Sequence, residues 1–224
     1  MLFRSFSGYR YLSSVVSSGQ ADLRSRLRQQ TQENRPVFSA RNQDKIFEGY
    51  FSRMMTFLAI VEQSGGVNHA MNSEDFRQKM RTNAVLIFEE LSRETSKAYA
   101  TTSSTQRALG LFQFMRHTYN TLVTRYPWAG LQKDFTAGAA GHSNATKAGI
   151  LLLAETSELL LSDEPAAWGD VDTRDEILAA SFNGGYNHAL QTFRSGAEGQ
   201  DWTSGLRPET RNYIYKLRAL KEIW

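Results

Sequence analysis

The chain has 224 residues, 41% hydrophobic and 22% charged, so it can bury a sizeable core in one substantial domain or a domain with an appendage, and wholesale disorder is excluded. Its formal charge of +3 favours an anionic polymer such as cell wall but is too small and too scattered to point to nucleic acid. Cysteine is absent, which excludes disulfides, thiol nucleophiles and cysteine metal sites, and no apolar run approaches the ~18 residues of a membrane span.

Residues 1–44 are rich in Ser, Gln and Arg and show weak apolar periodicity, so they read as a loosely structured or packing-dependent arm. Arg4 and Arg10 lie in this arm without an uninterrupted apolar core or a small-residue cleavage site, which makes a poor secretory signal. A strong helix is expected from near Asp44, where Phe47, Phe51, Met54, Leu58 and Val61 recur at three- and four-residue steps until Ser64-Gly65-Gly66. With its linker this helix fills residues 45–72, ahead of a main domain at 73–224.

The next helix starts at Asn72 or Ser73, with Glu74 and Asp75 in a first turn whose dipole favours acids. Phe76, Met80, Ala84, Ile87 and Leu91 keep one face apolar up to the region of Glu94. Residues 95–108 read as a polar loop. Further helices are expected over 113–126, 144–162, 173–182, 185–194 and 208–222. Strand-like alternation is scarce and no internal repeat is present, so the expected class is all-α.

Four short segments carry chemistry. Arg93-Glu94-Thr95 closes an apolar helix, and sixteen positions after Glu94 begins Gly110-Leu111-Phe112-Gln113-Phe114-Met115. Later come Ala180-Ser181-Phe182-Asn183-Gly184-Gly185 and Pro208-Glu209-Thr210-Arg211-Asn212-Tyr213. In this order and spacing the chain resembles the soluble lytic transglycosylases, relatives of goose-type lysozyme. Their pattern is Glu-Ser at a helix end, Ser-x-x-Gly-Ala-x-Gly-Leu-Met-Gln, Ala-Tyr-Asn-Ala-Gly and Glu-Thr-Arg-x-Tyr. The resemblance covers about residues 80 to 217, with Ser104 and Ala108 on the expected Ser and Ala; Asn144 and Gly149 are loosely similar to an Asn-Ile-x-x-Gly helix start. In this chain Thr95 replaces Ser, Arg107 stands where the family has Gly, the loop from Glu94 to Ser104 is one residue longer, Phe112 replaces Met and Phe182 replaces Tyr. These departures bear on specificity more than on class.

The resemblance implies a lysozyme-like domain that cleaves the β-1,4 bond between N-acetylmuramic acid and N-acetylglucosamine in peptidoglycan. Glu94 would act first as general acid and then as general base, leaving 1,6-anhydro ends, and the Tyr213 phenol would lie near it and orient the carboxyl. Ser104, Gly110, Phe112, Gln113, Met115, Phe182, Asn183 and Gly185 would form the substrate-binding set. A glycosidic oxygen leaves poorly unless protonated as its bond breaks. An ordinary Glu titrates near ~4.3, so holding such a donor protonated near neutrality takes about two units, or ~2.7 kcal/mol, supplied by apolar burial and a helix C-terminus. Glu90 shares the face of Glu94 and is the competing carboxylate, while each of these residues also has a plain packing or capping role open to it.

No second carboxylate is obviously placed, since Asp134, Asp163 and Asp172 lie outside the motif segments, and this suits the substrate-assisted route that the resemblance implies. His69, His117, His142 and His188 lack ligand spacing, so no metal or cofactor is expected. Trp128, Trp168, Trp202 and Trp224 could line a sugar groove or simply pack. A lysozyme-type hydrolase, a peptide-stem endopeptidase on the same scaffold and a non-catalytic wall-binding component all remain open. With so poor a secretory signal, the expected delivery route to the cell wall is a phage particle, a secretion or conjugation machine, or a lysis pore. Residues 1–70 would then be a docking element, removable without loss of catalysis.

Overall fold

The computed structural model describes residues 2–33, 38–39, 43–44, 46, 49–66, 73–104, 107–196 and 201–224. Its helices in chain order are α1 (Leu2–Gln32), α2 (Tyr50–Gln63), α3 (Ser73–Glu94), α4 (Arg116–Arg125), α5 (Phe135–Ala140), α6 (His142–Asp163), α7 (Pro165–Gly169), α8 (Val171–Gly184), α9 (Tyr186–Ser195) and α10 (Pro208–Ile223). Single 3-10 turns lie at Thr95–Lys97, Pro127–Ala129 and Trp202–Gly205. Among the described residues the β-type pairing amounts to two isolated antiparallel bridges, Ser103 with Leu109 and Leu109 with Phe114. The protein is all-α.

The chain divides into two units, one made of residues 1–63 and 84–154 and the other of residues 64–83 and 155–224. In the first unit, residues 2–32 are one long helix, so of the two alternatives for the arm the structure shows the packing-dependent one and not the loosely structured one. Its buried stripe runs Gly8, Leu12, Val16, Gly19, Gln20, Leu23 and Leu27, at steps of three and four. Three of these seven positions are Gly or Gln, which a count of apolar residues does not register. The glycines let backbones touch. A β-carbon on Gly8 would lie 1.7 Å from the Phe88 carbonyl oxygen of α3, and one on Gly19 would lie 2.7 Å from the Ser143 oxygen of α6.

Polar contacts fix α1 further. The buried Lys147 ammonium of α6 donates to Asp22 at 2.7 Å and to the carbonyls of Gly130 and Ala129 at 3.1 and 3.3 Å, so all three of its protons are used. Burial pushes the Asp22 carboxyl up, but hydrogen bonds from Lys147 and Arg26 outweigh it and hold the group below its ordinary value. Helix α2 is buried nearly all round, with Phe51, Met54, Met55, Phe57, Leu58, Ala59, Ile60 and Val61 all inside. Its expected start near Asp44 falls partly on Lys45, Phe47 and Glu48, outside the described residues.

In the second unit α8 packs against α7, α9 and α10. Leu160, Ala167, Trp168, Ile177 and Leu190 form a core cluster, with Tyr186, Phe193 and Trp202 against it. Trp168 and Trp202 are therefore packing residues. Asp170 caps α8 by accepting from the Thr173 N–H at 2.7 Å, and the helix begins at Val171, two residues before the expected start at 173. Glu176 accepts from Arg218 Nε at 2.7 Å and from Trp202 Nε1 at 3.2 Å, and Asp201 accepts from Arg218 at 2.8 Å. The Arg218 guanidinium holds the Asp201 carboxyl well below the usual carboxylate range, at about 2.

Candidate active site

Glu94 is the last residue of α3. Ala84, Ile87, Phe88 and Leu91 are buried along that helix, and Glu94 continues the stripe one step past Leu91. The helix ends there because Thr95 adopts a left-handed φ of +44° and opens the 3-10 turn Thr95–Lys97. The Glu94 side chain is 45% exposed, with Arg93 Nε at 3.7 Å. Apolar burial of this carboxyl, expected from the sequence, is thus not provided by the chain alone: the stripe runs out at the helix end, where residues 93–97 are all exposed. Glu90, the competing carboxylate, is engaged in an ion pair with Arg93. Burial, with the Glu90 charge added, pushes the Tyr99 phenol up to about 12.

Four of the described residues from Thr95 to Gln113 are strained. Thr95 (+44°), Tyr99 (+57°), Arg107 (+63°) and Gln113 (+47°) have left-handed φ, and among the described residues no other non-glycine residue does. For such residues this conformation costs roughly 1–2 kcal/mol each, and it persists only where surrounding contacts over-determine it. Those contacts are present. His142 Nε2 donates to the Ala98 carbonyl at 2.7 Å. Gln63, the last residue of α2, donates to the carbonyls of Leu111 and Gly110 at 2.9 and 3.2 Å. Ser104 accepts from the Ala108 N–H through its Oγ at 3.1 Å, and the Ser104 N–H donates to the Ala108 carbonyl.

Gly110 lies where no other residue fits: its φ is +84°, and a β-carbon would stand 2.1 Å from the Ala139 carbonyl oxygen of α5. Asn144 steadies α5 by donating to the Gly138 carbonyl at 2.9 Å and to Tyr119 Oη at 2.6 Å, while the Tyr119 hydroxyl donates to the Gln132 carbonyl at 2.7 Å. Gln113 Nε2 donates to the carbonyls of Gly110 at 2.8 Å and Thr102 at 3.0 Å, so its amide group closes the turn. Its Oε1 makes no hydrogen bond among the described residues and is left as an acceptor. Phe112 is fully buried, a core residue with no surface to offer a sugar, against the expectation that placed it in the binding set. Met115 is half-buried and precedes α4, which starts at Arg116 and not at 113 because the turn takes up the residues between.

The other expected site residues belong to the second unit. Asn183, near the end of α8, is half-buried and its Oδ1 accepts from Thr210 Oγ1 of α10 at 2.8 Å. Phe182 is also half-buried, and Gly185 ends α8 with φ +89° and an exposed backbone. Tyr213 is buried on α10 beside Thr210, Ile214 and Leu217.

Glu94, Ser104, Gly110, Gln113 and Met115 all belong to the first unit, where hydrogen bonds to Thr102 and Ala108 tie Ser104, Gly110 and Gln113 into one loop, and the second unit joins the Asn183 and Thr210 segments. Gln63, Ala98 and His142 escaped the sequence reading. Gln63 is one glutamine at a helix end and His142 one histidine without ligand spacing, and neither has a local signature.

Among the described residues no cluster of three or more His, Asp or Glu side chains could hold a metal ion, and no helix is long and apolar enough to cross a membrane. No protein-family model matches the chain. No curated protein matches it either.

Proposed function

We propose that the chain is a peptidoglycan lytic transglycosylase of the soluble, goose-type lysozyme-like class, with Glu94 as its acid and base. The observation that carries this reading is the setting of Glu94: an accessible carboxyl ends an otherwise buried helical stripe and is followed at once by the left-handed Thr95 and, further along the chain, by left-handed residues at Tyr99, Arg107 and Gln113. Strain of this kind gathers at sites where geometry matters to chemistry. The four ordered sequence segments support the same assignment.

In the proposed reaction Glu94 gives its proton to the glycosidic oxygen as the bond from that oxygen to C1 of N-acetylmuramic acid breaks. The carboxylate then takes the proton of the same sugar's 6-hydroxyl, whose oxygen bonds to C1. The products are a free 4-hydroxyl and a 1,6-anhydro end, with no water consumed and the glutamic acid restored. A glycan strand laid over the exposed carboxyl would exclude water from it, supplying the desolvation that the free chain lacks and favouring the protonated acid. Gln113 Oε1 would accept from a sugar N–H or hydroxyl. Residues 1–63 belong to the first unit, where α1 and α2 supply much of the core, so within the proposed 1–70 docking element these residues would serve a virion or secretion machine as part of that folded unit.

The test is mass spectrometry of the muropeptides released from purified sacculi. Anhydro-muramic ends with no reducing ends support the transglycosylase. Reducing ends would make the protein a hydrolytic lysozyme, cut peptide stems an endopeptidase, and intact sacculi a binding component.

A further inference from the structure

We propose that His142, oriented by Tyr11 of the N-terminal helix, is a positioning residue for Glu94, because it clamps the strained turn that ends the glutamate's helix. The proposal rests on the reading of Glu94 as the reactive group.

Three sets of observations converge. From 93 to 104 and at 107, Ala98 alone is buried, so it is the one inward anchor of the turn. Its carbonyl accepts from His142 Nε2 at 2.7 Å, and residues with left-handed φ stand on either side of it, Thr95 at +44° and Tyr99 at +57°. A turn strained on both sides of its anchor relaxes when the anchor is released. Relaxation at Thr95 would re-aim the residue before it, which is Glu94.

The bonding also fixes which nitrogen carries the proton. A carbonyl can only accept, so Nε2 bears the hydrogen and Nδ1 of the neutral ring is left as an acceptor. Tyr11 Oη lies 3.0 Å from that Nδ1 and donates to it. Burial favours the neutral forms of both groups, holding the His142 imidazole below its ordinary value and the Tyr11 phenol above its own. The ring is 3% exposed and meets Tyr11 edge-on, with centroids 5.8 Å apart.

Helix α1 is placed to bear on the Glu94 helix as well. Gly8 seats its backbone against Phe88, and the Tyr9 ring meets the Phe88 ring edge-on at 5.7 Å, about six residues before Glu94. The first thirty residues thus reach the reactive end of α3 by two routes, one through Phe88 and one through His142 to Ala98. An appendage for docking alone would need neither.

The test uses the full chain with His142→Ala, His142→Gln and Tyr11→Phe, assayed on solubilised glycan strands well below each variant's unfolding temperature. Loss of the clamp is expected to lower kcat about tenfold or more with KM within about twofold, since a misplaced catalytic group weakens the reacting geometry and not uniform binding. His142→Gln keeps an amide donor for Ala98 and should recover most of the loss. Tyr11→Phe keeps the fold and should show a smaller fall in kcat. Hydrogen–deuterium exchange should quicken at residues 95–99 in His142→Ala without quickening across α6. A folded His142→Ala or Tyr11→Phe with unchanged kcat overturns the proposal, and so does unchanged exchange at 95–99. A wild type inactive on glycan overturns the reading of Glu94 instead, whatever the exchange shows.

Discussion

Asn183 Oδ1 accepts a hydrogen bond from Thr210 Oγ1 at 2.8 Å, which joins the residue before the paired glycines of α8 to the first turn of α10. Thr210 is 2% exposed, so little water is at hand to replace it. Thr210→Val keeps the shape and removes the donor. It should cost about 1 kcal/mol of stability, the worth of a typical hydrogen bond. A shift of the urea midpoint with an unchanged slope checks this. No shift would mean that the bond contributes nothing.

Gly110→Ala sets a methyl group against the Ala139 carbonyl oxygen at 2.1 Å and forces a left-handed φ of +84° on a residue with a side chain. The two effects together should cost about 2 kcal/mol or more. Denaturant unfolding measures the loss. A variant as stable as the parent would show that the turn yields and does not hold.

Leu23 and Leu27 are fully buried on α1. Truncating either to Ala should destabilise by ~2–5 kcal/mol, as for any core leucine. For the same reason deletion of residues 2–32 should unfold the first unit, not spare it. A deleted chain that retained a cooperative unfolding transition for that unit would revive the idea of a separable docking arm.

These contacts also show where the sequence could be read and where it could not. Helices α3, α6 and α8–α10 lie within two residues of their expected bounds, and α3 also shows its start in the acids after Ser73. Helix α1 hides its pattern because Gly8, Gly19 and Gln20 fill positions where apolar residues would be sought. Helices α5 and α7 are too short for a period to show. Glu94 was legible as a helix-end carboxylate in a motif, but its exposure was not, because burial depends on what covers the last turn. The fully buried Phe112 and the Gln63 and His142 braces are tertiary facts with no trace in local spacing.

Stability should also depend on pH in two separate windows. His142 is held below its ordinary value by burial, partly offset by its bond to Ala98. The unfolded chain protonates its histidine near ~6.5 and the folded chain at lower pH, so between these points the unfolded state binds more protons. The contribution is complete above ~6.5 and is lost as pH falls through the folded value. Asp201, at about 2 beside Arg218, adds a second loss between its ordinary pKa and about 2. Thermal unfolding from pH 8 to pH 2 should show both declines, and His142→Gln should flatten only the upper one. An upper decline that persists in His142→Gln would assign it to another group.

The most direct measurement is the initial rate of wall solubilisation by Glu94→Gln against the wild type, with Glu90→Gln beside them. A carboxyl that must give and then take a proton cannot be replaced by an amide, so Glu94→Gln should lose at least about a hundredfold in rate while remaining folded. Glu90→Gln, which removes one of the two carboxylates beside Arg93, should keep most of its activity. Wall solubilisation by Glu94→Gln at the wild-type rate would contradict the account.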